Sequence, residues 1–354
     1  MGLTAAAALL LTVTAAQPAA AQFTITANFA SESQSNGTNA PSAAADADVQ
    51  AALNTLAASF STNGSAAFNL KADVSWADQG ASTLGTSSAG SGDYQTVTGA
   101  QVGDAFNPTV LLNNDLDRYL LGVASTVNTS GGYADFTLQF NNNGGVIWDY
   151  TQTAPSNFSS YSLASVVTHE ALHSMGFSAF NNSDGSYFTK ANGGQGDPAP
   201  TIWDTKMFDA TTGKAFTADS QADRQAVMIS GDANGNGGKL FFAGANAKAA
   251  NGGANVQLFA PSVFQDGSSD GSHFGPNLTD PMADLLNPAL SNGSYLTASA
   301  LDLGALQDIG WKLAGSGSPA VPEASTTLSF GLLLTLGLGS ILVARKRKAA
   351  STAN

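Results

Sequence analysis

Residues 168–180 read THEALHSMGFSAF: two histidines four positions apart, a glutamate after the first, and a glycine three residues past the second. At 3.6 residues per turn, positions four apart are offset by only about 40° around a helix, so His169 and His173 project from one face, one turn apart. Two neutral imidazoles at that spacing can grip one Zn2+. Glu170 reaches toward a water that the metal activates rather than toward the metal itself. The chemistry to expect is amide hydrolysis by a water whose proton Glu170 removes. The HExxH pattern also arises by chance. Here it falls on a predicted amphipathic helix, Leu163 to Met175, capped by Ser160 or Ser162 and stopped by Gly176, and that context favours the metal.

A catalytic zinc needs a third protein ligand and an open fourth position. The chain contains only three glutamates, Glu32, Glu170 and Glu323. Glu323 belongs to the C-terminal tail, so a downstream glutamate ligand is excluded. Ala179 stands three residues after Gly176, where a compact site would carry a histidine. Cysteine is absent, which excludes thiolate ligands, a cysteine nucleophile and a disulfide framework together. What remains is the third and last histidine, His273, in DGSSDGSHFGPNLTDPMADLLNPAL, or else an aspartate. A solitary histidine in a Gly/Ser/Asp segment is ordinarily solvated surface, but the inventory points to a ligand. A second cation site is suggested by DANGNG, Asp232 to Gly237, with Asp232, Asn234 and Asn236 as Ca2+ candidates. Its twelfth position is Ala243 instead of the bidentate glutamate, so an Asn/Gly turn is the better reading.

The elements that must position these groups follow from hydrophobic periodicity. FTITANF (Phe23 to Phe29) and FNLKADVSW (Phe68 to Trp76) alternate as strands do, and Ala47 to Phe60 carries Val49, Leu53, Leu56 and Phe60 at helical spacing. A strand, helix, strand opening results. Residues 77 to 106 read as a long surface loop, and Asn107–Pro108 as the start of a helix through Leu121. YADFTLQFN (Tyr133 to Asn141) alternates with one face for the core and one for water, and VIWDYT beyond NNGG is its expected partner. Asn181 to Ser272 is irregular. Leu296, Leu301, Leu303, Leu306 and Ile309 mark a closing helix stopped by Gly310.

The two ends of the 354-residue chain imply export. Residues 1 to 21 read as a cleaved secretory signal, with an apolar run from Ala5 to Ala16 and small residues before Gln22. At the other end, residues 314 to 320 form a linker. Residues 321 to 348, VPEASTTLSFGLLLTLGLGSILVARKRK, join a Pro-Glu pair to an apolar span over 328 to 344 and a basic cluster, leaving 349 to 354 as a cytoplasmic tail. Of 13 basic and 26 acidic residues, four basic and one acidic lie in that tail, leaving 9 against 25 on the body. Such a surface repels nucleic acid, which is excluded as a partner, and anionic membranes.

The order Pro-Glu motif, span and basic tail resembles the PEP-CTERM sorting signal of Gram-negative bacteria, with Ala324 where a second proline is usual. That likeness implies an exosortase-type sorting enzyme as partner, transient anchoring in the inner membrane, and a mature protein at the cell surface or outside the cell. Between Ser160 and Trp311, HEALHSMGF, then SHF after a long insertion, then DPMADLLNP and LDLGALQDIGW resemble the leishmanolysin-like branch of the metzincins. The resemblance implies His169, His173 and His273 as ligands of one Zn2+, Glu170 as general base, and Gly176 as the residue that turns the chain so that His273 can return. It also implies a Met-turn methionine at Met282, with Leu286 as the alternative position. YADFTLQFN would then be either the edge strand that pairs an extended substrate or simply core.

The expected fold is α+β: a metzincin-like zincin domain over 22 to 313, with a mixed twisted sheet and the active-site helix in its upper part (22 to 177) and an irregular lower part (178 to 313). The expected function is a secreted or cell-surface zinc endopeptidase acting on proteins or peptides. The alternative is a non-catalytic surface or matrix protein that holds zinc for structure.

Overall fold

The computed structural model describes residues 22–29, 42–63, 67–89, 94–97, 110–113, 119–120, 134–179, 181–187, 199–264, 270–275 and 284–315. The expected signal peptide, the 328–344 span with its basic cluster, and Met282 lie outside them. Among the described residues no helix is long and apolar enough to cross a membrane. The chain divides into compact units at Leu313 and Ala314, and the first of these holds every element described below.

Its architecture is α+β. The main sheet has the order β1-β2-β6-β3, built from β1 (Phe23–Phe29), β2 (Phe68–Ala77), β3 (Gly85–Ala89) and β6 (Phe136–Asn141). β1, β2 and β6 are parallel, and β3 runs antiparallel to β6 along one edge. Helix α1 (Ala43–Ala57) makes the crossover from β1 to β2, as a parallel pair requires. Its N-cap Ser42 accepts the Ala45 N–H, and Val49, Leu53 and Leu56 are buried at the expected spacing. Gln50 ties the helix to β1, accepting from the Ala27 N–H and donating to the Ile25 carbonyl.

Several expectations are corrected by this sheet. The Phe136–Asn141 strand does alternate, with Phe136, Leu138 and Phe140 in the core, but it is an interior strand between β2 and β3, not an edge. Among the described residues the edge on that side is β3, inside the stretch read as a surface loop. Its Ser- and Thr-rich sequence carries little apolar signal because only one face meets the protein. The helix expected from Asn107 to Leu121 is instead interrupted by strand β5 (Val110–Asn113), paired antiparallel with β4 (Tyr94–Val97). A short apolar run such as Val-Leu-Leu does not distinguish helix from strand by period alone. Trp148 does not lead a hairpin partner for β6. β7 (Trp148–Asp149) pairs in parallel with β8 (Tyr161–Ser162), while the Trp148 indole N–H donates to the Asn141 carbonyl at 2.8 Å.

β8 leads directly into helix α2 (Leu163–Ser174), the motif helix. The region expected to be irregular contains a second sheet of order β10-β9-β11-β12: β9 (Met207–Asp209), β10 (Lys214–Ala215), β11 (Leu240–Phe242) and β12 (Val256–Gln257). Strands of two or three residues are too short to show a period. This sheet is accompanied by α3 (Gln221–Met228) and α4 (Ala245–Ala250). The closing helix α5 (Ala300–Ile309) starts at a capping box between Ser299 and Asp302 and stops at Gly310, whose φ of 123° suits glycine. Just beyond it, Trp311 packs among Phe23, Phe60, Phe68 and Tyr119. Its indole N–H donates to the Met175 carbonyl at 2.7 Å, which fastens the segment after α5 to the end of the motif helix.

Candidate metal centre

Ser162 caps α2, accepting the Ser165 N–H, and Leu163, Val167, Ala171 and Leu172 on its inner face are fully buried. Burial of that face leaves the helix one orientation, with His169 and His173 turned toward the cleft. Their Nε2 atoms are 3.0 Å apart, and the Nε2 of His273 is 3.1 Å from each. The three ligands expected from the motif and the inventory therefore meet at one point.

His273 is no loose loop residue. It is 6% exposed, and its segment is paired on both sides: the Phe259 N–H donates to the His273 carbonyl, Gly275 to Gln257, and Phe274 to Leu286. Backbone pairing of this kind carries no side-chain pattern, so the DGSSDGSHF sequence reads as an unstructured loop.

The protonation of the cluster follows from its partners. His169 Nδ1 lies 2.7 Å from the Leu285 carbonyl, and His173 Nδ1 lies 2.7 Å from the Phe177 carbonyl. A carbonyl can only accept, so both Nδ1 atoms carry hydrogen, and in a neutral imidazole the Nε2 atom then holds a lone pair. Burial, followed by the neighbouring His169, pushes the His173 pKa down to about 3, so its ring is neutral. The His173 Nε2 lone pair thus points at the Nε2 atoms of His169 and His273, 3.0 and 3.1 Å away, a convergence of ring nitrogens that a shared cation would satisfy. Three imidazole nitrogens, two of them on rings whose second nitrogen is fixed by a carbonyl, are a donor set suited to Zn2+.

The Gly176 stop contributes to this geometry. The N–H groups of Gly176 and Phe177 donate to His173 and Leu172 carbonyls, a Schellman turn that needs the positive φ of Gly176, 106°. The same turn brings the Phe177 carbonyl onto His173 Nδ1. Helix termination and ligand orientation are one structural event.

Glu170 is 8% exposed and faces the edge strand. Burial pushes its pKa up, while His169 and a hydrogen bond with the Ser87 side chain pull it back. Gly85, two residues earlier on the same face of β3, permits the close crossing of strand and helix. A Cβ there would stand 2.9 Å from Val166 Cγ1 and 3.3 Å from Glu170 Cγ. Fully buried Asn141 shapes the approach to β3, donating to the Gly80 and Thr83 carbonyls. Gly85, Ser87 and Asn141 escaped the sequence reading. The cleft between β3 and the lower part has a volume of about 930 Å3 and exposes all three histidines, Glu170 and Ser87.

The Asp284–Leu286 turn passes beside the three histidines through its backbone. Leu285 supplies the carbonyl to His169, whereas the Leu286 side chain is fully buried and its carbonyl accepts from Phe274. In the DANGNG segment both Asp232 carboxylate oxygens accept hydrogen bonds from Asn236, and Oδ1 also accepts the Asn234 N–H. These contacts fit the Asn/Gly turn. Comparison of the chain with protein-family models, with curated proteins and with solved structures returned no match.

Proposed function

We propose that the chain is a zinc-dependent endopeptidase of metzincin-like architecture, similar to the leishmanolysin branch. The observation that carries this reading is the triangle of imidazole nitrogens, 3.0 to 3.1 Å on a side, with a buried carboxylate one residue from the first of them. A Zn2+ bound there supplies the Lewis acidity that polarises a carbonyl and acidifies water. Glu170 takes the proton of the attacking water on its carboxylate and passes it to the departing amide nitrogen. Burial pushes the Glu170 pKa up, which makes its carboxylate a stronger base for that proton. Ser87 holds the carboxylate toward the cleft.

Substrate size is supported by the open edge of β3. Among the described residues β3 has no neighbour on its outer side, and such a strand edge beside the three-histidine cluster can take an extended peptide by strand addition. That arrangement suits cleavage within a chain. The antiparallel edge strand, the motif helix beneath it, the glycine turn and the return of a distant histidine support the finer fold assignment. By the same reading the protein is exported, sorted by an exosortase-type enzyme and displayed at the cell surface or released.

Metal removal tests the proposal. Dialysis against a strong chelator is expected to abolish cleavage of an unfolded protein such as casein, and one equivalent of Zn2+ is expected to restore it. Full cleavage after metal is shown to be gone would refute the reading, and zinc binding without cleavage would favour the structural-zinc alternative.

A further inference from the structure

The Leu285–Leu286 peptide group is held at both ends. Its carbonyl accepts His169 Nδ1–H at 2.7 Å, and its N–H donates to Asp284 Oδ1 at 3.1 Å. The other Asp284 oxygen accepts the Ser299 hydroxyl at 3.2 Å. Ser299 is the N-cap of α5, where its own N–H donates to Asp302 Oδ2 at 2.7 Å and its oxygen accepts the Asp302 N–H. Asp284 and Asp302 are 7% and 0% exposed. A polar chain therefore runs from the cap of the closing helix, through one carboxyl group and one peptide, to the first imidazole of the cluster.

We propose that Asp284 is a positioning residue of the metal centre, acting on His169 through the Leu285–Leu286 peptide and held in place by Ser299 and Asp302. This inference rests on the metal-centre reading above. Its physical basis is the effect of outer partners on a metal-bound imidazole: a carboxylate behind the ring fixes its tautomer and raises its basicity. Here one peptide group is interposed. A negative charge at its N–H end polarises the peptide, strengthens the carbonyl as an acceptor and so strengthens the grip on His169.

The charge belongs on Asp284. Asp302 Oδ1 has no hydrogen-bond donor in its surroundings, and the Asp284 and Asp302 side chains are hydrogen-bond partners, which two carboxyl groups can be only when one of them holds a proton. Burial, and then the Asp284 charge, push the Asp302 pKa well up. The turn also acts on a second ligand, because the Leu286 carbonyl accepts the N–H of Phe274, next to His273. One turn thus sets the register between the motif helix and the returning histidine.

The test is a competitive zinc titration of the full-length chain against a chromophoric chelator, with thermal unfolding of the same samples. Asp284→Ala is expected to weaken zinc binding about 10- to 100-fold, the range for loss of such outer partners. Asp284→Asn, which keeps an acceptor for the Leu286 N–H but loses the charge, is expected to weaken it by less, about threefold or more on the same basis. The control is Asp308→Ala. Asp308 lies on the same helix, accepts the Asn246 and Ala247 N–H groups, and has no such chain to a histidine. It should lower the melting temperature and leave zinc affinity unchanged. Wild-type affinity in Asp284→Ala, or equal weakening in Asp308→Ala, would overturn the proposal. If Asp284→Ala does not fold, unchanged affinity in Asp284→Asn would overturn it. Absence of zinc binding by the wild type is a separate outcome that removes the metal-centre reading itself.

Discussion

Glu170→Gln is expected to lower peptide hydrolysis by about 10²- to 10⁴-fold, the usual worth of a positioned general base, while zinc content stays at the wild-type level. That is about 2.7–5.5 kcal/mol of activation free energy. Glutamine keeps the size of the side chain and an acceptor for the Ser87 hydroxyl, so the packing against Val166 and Gly85 is preserved. What it loses is the capacity to take a proton. The metal is unaffected because Glu170 is not part of the three-histidine cluster. Initial rates on casein, paired with elemental analysis of the same preparation, check both halves. Activity retained by a zinc-loaded Glu170→Gln protein would remove Glu170 from the mechanism.

His273→Ala is expected to act differently, taking the metal and the activity together. A four-ligand zinc site holds its ion by about 10–16 kcal/mol, so one ligand is worth roughly 3 kcal/mol or more, about 10²- to 10³-fold in affinity. Removal also leaves a gap beside the His169 and His173 rings, which pack against His273 at 5.1 and 4.6 Å between centroids. The segment itself should persist, since its pairing with Phe259, Gln257 and Leu286 is through the backbone. Zinc titration combined with circular dichroism separates the two effects. A folded His273→Ala protein that binds zinc as tightly as wild type would show that His273 is not a ligand.

The three histidines differ in how far the sequence alone reveals them. His169 and His173 declare themselves by spacing, because helix geometry alone brings positions four apart to one face. Elimination narrowed the third ligand to His273 or an aspartate, since the chain holds no histidine beyond these three and no downstream glutamate outside its tail, and the family resemblance pointed to His273. Its burial and its pairing on both sides were invisible, because backbone hydrogen bonds leave no mark on residue type. Gly176 was readable as a stop. Its second task, delivering the Phe177 carbonyl to His173, depends on the geometry of the turn and has no residue signature.

Where the sequence misled, tertiary contacts decided against local pattern. Phe136–Asn141 has the alternation of a half-exposed edge strand, yet both its neighbours are occupied, because β3 pairs with it from a stretch of Ser, Thr and Gly that propensity assigns to a loop. Gly85 looked like loop punctuation and is instead the point where strand and motif helix cross. The second sheet was missed for its brevity. The Asp284–Ser299–Asp302 connection joins a turn to a helix cap, and only the capping half of it, Ser followed three residues later by Asp, has a sequence form.

The most direct measurement is X-ray diffraction from crystals of the zinc-loaded protein at the zinc absorption edge. One strong anomalous peak is expected, about 2.0–2.1 Å from the Nε2 atoms of His169, His173 and His273. A zinc-loaded crystal with no peak there, or with the His273 ring turned away from the other two, would contradict it.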